Sequence, residues 1–171
     1  KQMSEADAHT IHEIGIPSLV LMERAALQIV ETMHKKNIST EKSLIVCGSG
    51  NNGGDGFAVA RLLTEQGKHA DVLFAGKEAS LSEECRCQKQ IVENMGISVF
   101  TEFPDEEYTV IIDAVFGVGL CREITGHYRD VIDWMNLQDT EKVAVDIPSG
   151  IYAATGKILG TAFRADLTVC M

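Results

Sequence analysis

The sequence predicts an α/β fold in three layers, αβα, with helices on both faces of a largely parallel sheet and a helical extension at the N-terminus. Three observations predict it. From Ser43 onward, short apolar runs alternate with helix-periodic segments, the pattern of right-handed crossovers between parallel strands. The first run, Leu44 to Cys47, passes directly into a turn with glycines at 48, 50, 53, 54 and 56 and then into a helical pattern. Two later runs also end in unusual turns, Asp113-Ala-Val-Phe-Gly-Val-Gly-Leu and Asp146-Ile-Pro-Ser-Gly.

Residues 4–14 read as a short helix, with Ser4 and Asp7 as its capping pair and Gly15 as its stop. Pro17 opens a longer helix with Met22, Ala26, Ile29, Val30 and Met33 on one face. Its stretch Leu19 to Met22 is apolar all round, which suits burial in the core and also makes this helix a candidate homodimer contact. Strands are expected over 43–48, 69–75, 97–100, 108–113, 142–146 and 166–170, and helices over 56–66, 80–94 and 127–136. For the helix at 80–94, Ser80 and Glu83 form the expected capping box, and Gly96 follows its end. No internal repeat, linker or low-complexity segment interrupts this order, so residues 1–171 read as a single domain.

That layout predicts where a ligand goes. In a doubly wound sheet of order 3-2-1-4-5, ligands lie outside the carboxyl ends of the strands, where the order reverses. The first, fourth and fifth strands are then neighbours, and they carry the three unusual turns. All three turns are expected at one crevice.

Composition narrows the partners. A formal net charge of −10 with no Lys/Arg-rich run disfavours a nucleic-acid backbone. No apolar run is long enough to span a membrane, and no secretory signal is present. The five cysteines, at 47, 85, 87, 121 and 170, are odd in number and lack C-x-x-C spacing. Free thiols in a reducing compartment follow, with a cytoplasmic or organelle-matrix protein as the default and cytoplasmic as the expected location. The first residue is Lys1, so an N-terminal targeting piece removed from the chain remains open.

Gly48, Gly50 and Gly53 satisfy G-x-G-x-x-G between a strand and a helix, a context suited to anion or nucleotide binding at unpaired helical N–H groups. An ordinary dinucleotide domain would also carry an acid at the end of its second strand for the ribose hydroxyls. Only Glu78 is available, and it comes late. A conventional NAD-dependent dehydrogenase therefore loses ground, as does a P-loop NTPase, since no Gly-Lys-Ser/Thr follows the glycines. The turn offers Asn51, Asn52 and Asp55 instead. Asp55 reads equally as a helix N-cap or as a site residue. Asp113 and Asp146 each end a buried-looking strand, where a carboxylate serves as a cap, a cation ligand or an acid/base. Together with Asn52 and Ser149 they make an all-oxygen set suited to a hard cation. No histidine lies beside these turns except His127 downstream, so a Ser-His-Asp triad has no support.

Taken together, Cys-Gly-Ser-Gly-Asn-Asn-Gly-Gly-Asp-Gly (47–56), Asp-Ala-Val-Phe-Gly-Val-Gly-Leu (113–120), Val-Asp-Ile-Pro-Ser-Gly (145–150) and the opening Gly-Ile-Pro…Leu-Met-Glu-Arg-Ala-Ala (15–26) resemble the NAD(P)H-hydrate epimerase family, or YjeF N-terminal domain. The resemblance implies a Rossmann-like fold and a metabolite-repair isomerase that interconverts the two epimers of 6-hydroxy-hydrated NADH and NADPH, NAD(P)HX. It implies that a dehydratase, fused in many bacterial members, then restores one epimer. It implies hydrate binding by Asn51, Asn52, Gly53, Gly54 and Asp55, by Gly117, Val118, Gly119, Leu120, Cys121, Arg122 and Glu123, and by Asp146. It also implies a potassium ion held by Asn52, Asp113 and Ser149. Asp146 is the expected acid/base, with Asp55 as second choice. Family domains continue beyond a strand such as 166–170, so the chain is expected to be a fragment or to lack the final elements. The rival expectation is a non-catalytic nucleotide-binding or scaffold module of the same fold, whose mark would be loss of Asp55, Asp113 and Asp146. All three are present.

Overall fold

The computed structural model describes residues 10–170. After a π-helical turn at Thr10–Ile14, the elements in order are α1 (Ser18–Lys35), β1 (Lys42–Cys47), α2 (Asn51–Glu65), β2 (His69–Phe74), α3 (Glu83–Asn94), β3 (Val99–Phe100), β4 (Val110–Ala114), α4 (His127–Leu137), β5 (Glu141–Val145) and β6 (Leu167–Val169). The six strands form one sheet in the order β3-β2-β1-β4-β5-β6. Every pairing is parallel. The order reverses between β1 and β4, as the doubly wound reading requires. The expected capping pair Ser4 and Asp7 lies outside the described residues.

The period-two alternation of the strands divides the interior in two. Ile45, Cys47, Val72, Phe74, Ile112 and Val145 face one side, where they meet Ile29 and Met33 of α1 and Phe57 and Leu63 of α2. Leu44, Val46, Leu73, Ile111 and Ala144 face the other, against Val131, Ile132 and Met135 of α4. Burial on both faces explains why these strands read as unbroken apolar runs. Asp113, two residues on from Ile111, is fully buried within β4.

Two helix starts differ from the sequence expectation. Helix α2 begins at Asn51, not near Gly56, with Gly50 at its N-cap position. Helical propensity placed Asn51 to Asp55 in the turn, because Asn and Gly are poor helix formers. Close packing decides otherwise. A Cβ on Gly53 would overlap the carbonyl oxygen of Gly48, and one on Gly54 would stand 2.6 Å from Cε of Met22. Only bare backbone lets the first turn of α2 settle this close to β1 and α1. Asp55 is consequently not an N-cap; it lies in the second turn of α2 and is buried. Helix α3 is capped by Ser82, whose hydroxyl accepts from the Cys85 N–H at 3.3 Å, and not by Ser80. Ser80 ends a separate 3-10 turn, Glu78–Ser80.

Candidate active site at the carboxyl ends of β1, β4 and β5

The three turns converge, and hydrogen bonds tie them to one another. Gly48 N–H donates to the Ala114 carbonyl at 3.0 Å, which joins the glycine turn to the end of β4. The Asp113 carboxylate joins β4 to the turn after β5. Its Oδ2 accepts from the backbone N–H of Ser149 at 2.7 Å, and its Oδ1 accepts from the Ser149 hydroxyl at 2.7 Å and the Val115 N–H at 3.1 Å. The Ser149 oxygen in turn accepts from the Phe116 N–H at 2.8 Å. One buried carboxylate thus fixes both loops.

Asp113 has no cationic partner in this network. Burial pushes its carboxyl up to about 6, against the opposing pull of the donors on Ser149 and Val115. A carboxylate offers about four acceptor sites, and three are used here; the Ser149 hydroxyl oxygen has one lone pair left after its bond from Phe116. Nearby, the Asn52 side-chain nitrogen is buried without a hydrogen-bond partner. The two ends of an amide exchange by a half-turn of the group, so the same position serves equally for an oxygen facing a cation. The donor set, one carboxylate, one hydroxyl and one amide, is of the all-oxygen kind that suits a hard cation. Among the described residues, no group of three His, Cys, Asp or Glu side chains is placed to hold a metal, so a thiolate or imidazole site has no basis there.

Asp146 follows β5 immediately. Its backbone is left-handed, with φ of 67° in a non-glycine residue, and its N–H is held by the Val169 carbonyl of β6 at 2.8 Å. Burial raises its carboxyl above the ordinary carboxylate range, while the Val118 N–H turned toward it pulls the other way. Gly117 sits between Asp146 and Asn52. A Cβ built on it would lie 3.3 Å from Oδ2 of Asp146 and 3.4 Å from Cγ of Asn52. An uncapped helix start, a half-buried acid and an amide therefore border one opening.

That opening is a cleft of about 1390 Å³. Asn51, Asn52, Asp55 and Asp146 line it, as do Gly117, Val118, Gly119, Leu120, Cys121 and Arg122. Gly53 and Gly54 lie behind the wall, buried against β1 and α1. Glu123 is exposed and is not part of the lining. Asp113 and Ser149 are buried beneath it. Glu78, the late candidate for a ribose acid, is paired with Lys89 at 2.9 Å and takes no part in the cleft. Cys47 and Cys85 are buried free thiols under the glycine turn, both raised chiefly by desolvation. They act there as packing groups. Sequence reasoning did not single out Phe116, whose N–H and carbonyl both meet the Ser149 hydroxyl. Its place in the 113–120 string was the available signal. Nor did it find the flank of the cleft supplied by α1, because no local pattern shows what a helix lies beside.

Fold and site define the class: a Rossmann-like α/β domain with a ligand cleft at the switch point of its sheet. The chain belongs to the family described as YjeF-related protein N-terminus, which matches residues 18–171. It is 43% identical over 169 residues to a protein of Weissella koreensis named NAD(P)H-hydrate epimerase, covering 98% of this chain and 76% of that one. Proteins of the same name from Oenococcus oeni and Limosilactobacillus reuteri are 43% and 44% identical, and the matches cover 82% and 81% of their lengths. The crystal structure of yeast ynu0 superposes with a TM-score of 0.84 at 20% identity, over 98% of this chain and 76% of that one, and shares the fold. No described helix is long and apolar enough to cross a membrane.

Proposed function

We propose that the protein is an NAD(P)H-hydrate epimerase, an isomerase that interconverts the two C6 epimers of hydrated NADH and NADPH. Similarity over 98–100% of this chain to proteins of that name supports the activity. The observation that carries the mechanism is Asp146, a carboxyl with a raised pKa beside Asn52 at the mouth of the cleft. A carboxyl that keeps its proton nearer to neutrality can give it to a leaving hydroxyl. Asp146 protonates the C6 hydroxyl, the C–O bond breaks with help from the ring nitrogen lone pair, and water leaves an iminium ring. Water then adds from the opposite face and gives up a proton to solvent, and Asp146 regains a proton from solvent. Atoms and charge balance over the cycle.

Asn51 and Asn52 at the start of α2, with the 117–122 loop, bind and orient the hydrate. Asp55 lines the same wall and is the second candidate for proton transfer. Asn52, Asp113 and Ser149 would hold a potassium ion, which supplies positive charge close to the ligand when bound. The orphaned Asn52 amide and the uncompensated Asp113 carboxylate support that assignment.

The test presents both epimers to the protein with an excess of a dehydratase that consumes one of them. Both epimers should disappear, and the Asp146→Asn variant should stall at the uncatalysed rate while still binding hydrate. A fully active Asp146→Asn variant would remove Asp146 from the mechanism. Stalling of the unsubstituted protein would remove the epimerase reading itself.

A further inference from the structure

The cleft is longer than the three turns account for. Beyond the corner formed by Asp146 and Asn52 it continues along α1, with Ser18 at one end and Lys35 at the other, about 25 Å of helix. Its volume exceeds the roughly 1000 Å³ at the upper end of ordinary small-molecule pockets. Along this limb Leu21, Ala25 and Leu27 present apolar surface. Two cations accompany them. Lys35 is already paired with Glu31 at 2.7 Å. Arg24 is exposed and has no carboxylate partner among the described residues. Arg122, equally exposed, reaches the same cleft from the 117–122 loop.

We propose that the α1 limb binds the ADP-ribose half of the hydrated dinucleotide, with Arg24 as its phosphate contact. The proposal rests on the epimerase reading above. The chemistry occurs only on the nicotinamide ring, so the remainder of the substrate contributes as remote binding. A diphosphate needs a concentrated donor, and a chain of net charge −10 repels anions unless a cation is placed locally. A guanidinium without a carboxylate partner is such a group, and its fork matches phosphate oxygens in pairs. The flat apolar face of adenine suits the Leu21, Ala25 and Leu27 surface. Continuity with the catalytic corner puts both halves of one substrate in a single cleft.

ADP-ribose itself is the probe. Calorimetry should find that it binds the unsubstituted protein, that Arg24→Ala raises Kd about tenfold, and that Arg24→Lys recovers most of the loss. In the epimerase assay, Arg24→Ala should raise KM for the dinucleotide hydrate about tenfold with kcat little altered. The ratio of kcat/KM for the dinucleotide hydrate to that for the hydrated mononucleotide, which lacks the adenylate half, should fall by the same factor. Equal binding of ADP-ribose by protein and variant, or no binding by either, overturns the proposal. So does a dimer that Leu27→Glu converts to monomer without changing ADP-ribose affinity, which would give this flank to a second copy of the chain. Arg24-dependent binding without any turnover would defeat the epimerase reading and leave the limb assigned. Turnover indifferent to Arg24 would do the reverse.

Discussion

Asp113 grips Ser149 twice, through its backbone N–H and through its hydroxyl, each at 2.7 Å. Replacing Asp113 with Asn leaves an NH₂ group facing the donors on one side or the other, whichever way the amide turns. The expected cost is about 1–3 kcal/mol, with the loops after β4 and β5 loosened together. Chemical denaturation and the temperature dependence of epimerisation check both parts.

The same carboxylate should make stability depend on pH and, if the proposed cation binds beside it, on that cation. Its value of about 6 in the folded chain stands above the ordinary 3.8, so the folded state holds this proton more tightly than the unfolded one. Folding is then favoured below pH 4, and that advantage is lost as pH rises through 6. The loss amounts to about 3 kcal/mol. A cation bound beside Asp113 favours the charged form and offsets the loss. Potassium chloride should therefore raise Tm relative to choline chloride at pH 7.5, with the difference vanishing toward pH 4. Equal gains at both pH values would assign the effect to general salt screening.

Gly117 separates Asp146 from Asn52 with no room to spare. A methyl group there meets Oδ2 of Asp146 at 3.3 Å and Cγ of Asn52 at 3.4 Å, so one of the two must move by a few tenths of an ångström. Gly117→Ala should lower kcat by about tenfold while Tm changes little, because the loop is at the surface. A proportional fall in Tm and activity would point to unfolding instead.

In the proposed mechanism the Asp146 carboxyl, raised by burial, should set the alkaline limb of the rate profile. The first step needs its acid form, so kcat/KM should fall as pH rises through its raised pKa. In Asp146→Asn that limb should disappear along with the catalysed rate. A limb that survives in the variant belongs to another group, with Asp55 first in line.

Gly53→Ala should be far more damaging than Gly50→Ala. The first methyl collides with the Gly48 carbonyl, which is backbone and cannot rotate away, and should cost about 3–5 kcal/mol. The second meets nothing within 4 Å. It only weakens a helix N-cap, for about 1 kcal/mol or less. Urea midpoints of the two variants measure the contrast.

The strand order and the meeting of three turns were legible because each follows from connection rules acting on apolar runs. The start of α2 was not. Asn51 to Asp55 look like loop residues when judged by propensity, and what makes them helical is contact with Gly48 and Met22, far away in sequence or invisible to a local window. Ser80 and Ser82 carry the same capping chemistry, and only the intervening 3-10 turn selects Ser82. That Asp113 and Ser149 bring oxygen donors was legible by residue type; the buried, unpartnered nitrogen of Asn52 needed the assembled site. The α1 flank, with Arg24 on it, depends on tertiary placement alone.

Asp146 adopts a left-handed backbone at φ 67°, a region in which Asp and Asn are the side chains most at ease after glycine. That decides which variants can be interpreted. Asparagine at 146 keeps the backbone comfortable and changes only the titrating group, so its rate loss measures chemistry. Alanine, serine or glutamate would add conformational strain to the loss of the carboxylate or to its displacement, and a dead enzyme from any of them would say little about proton transfer. A survey of substitutions at this position is informative only when each variant is paired with its own melting curve.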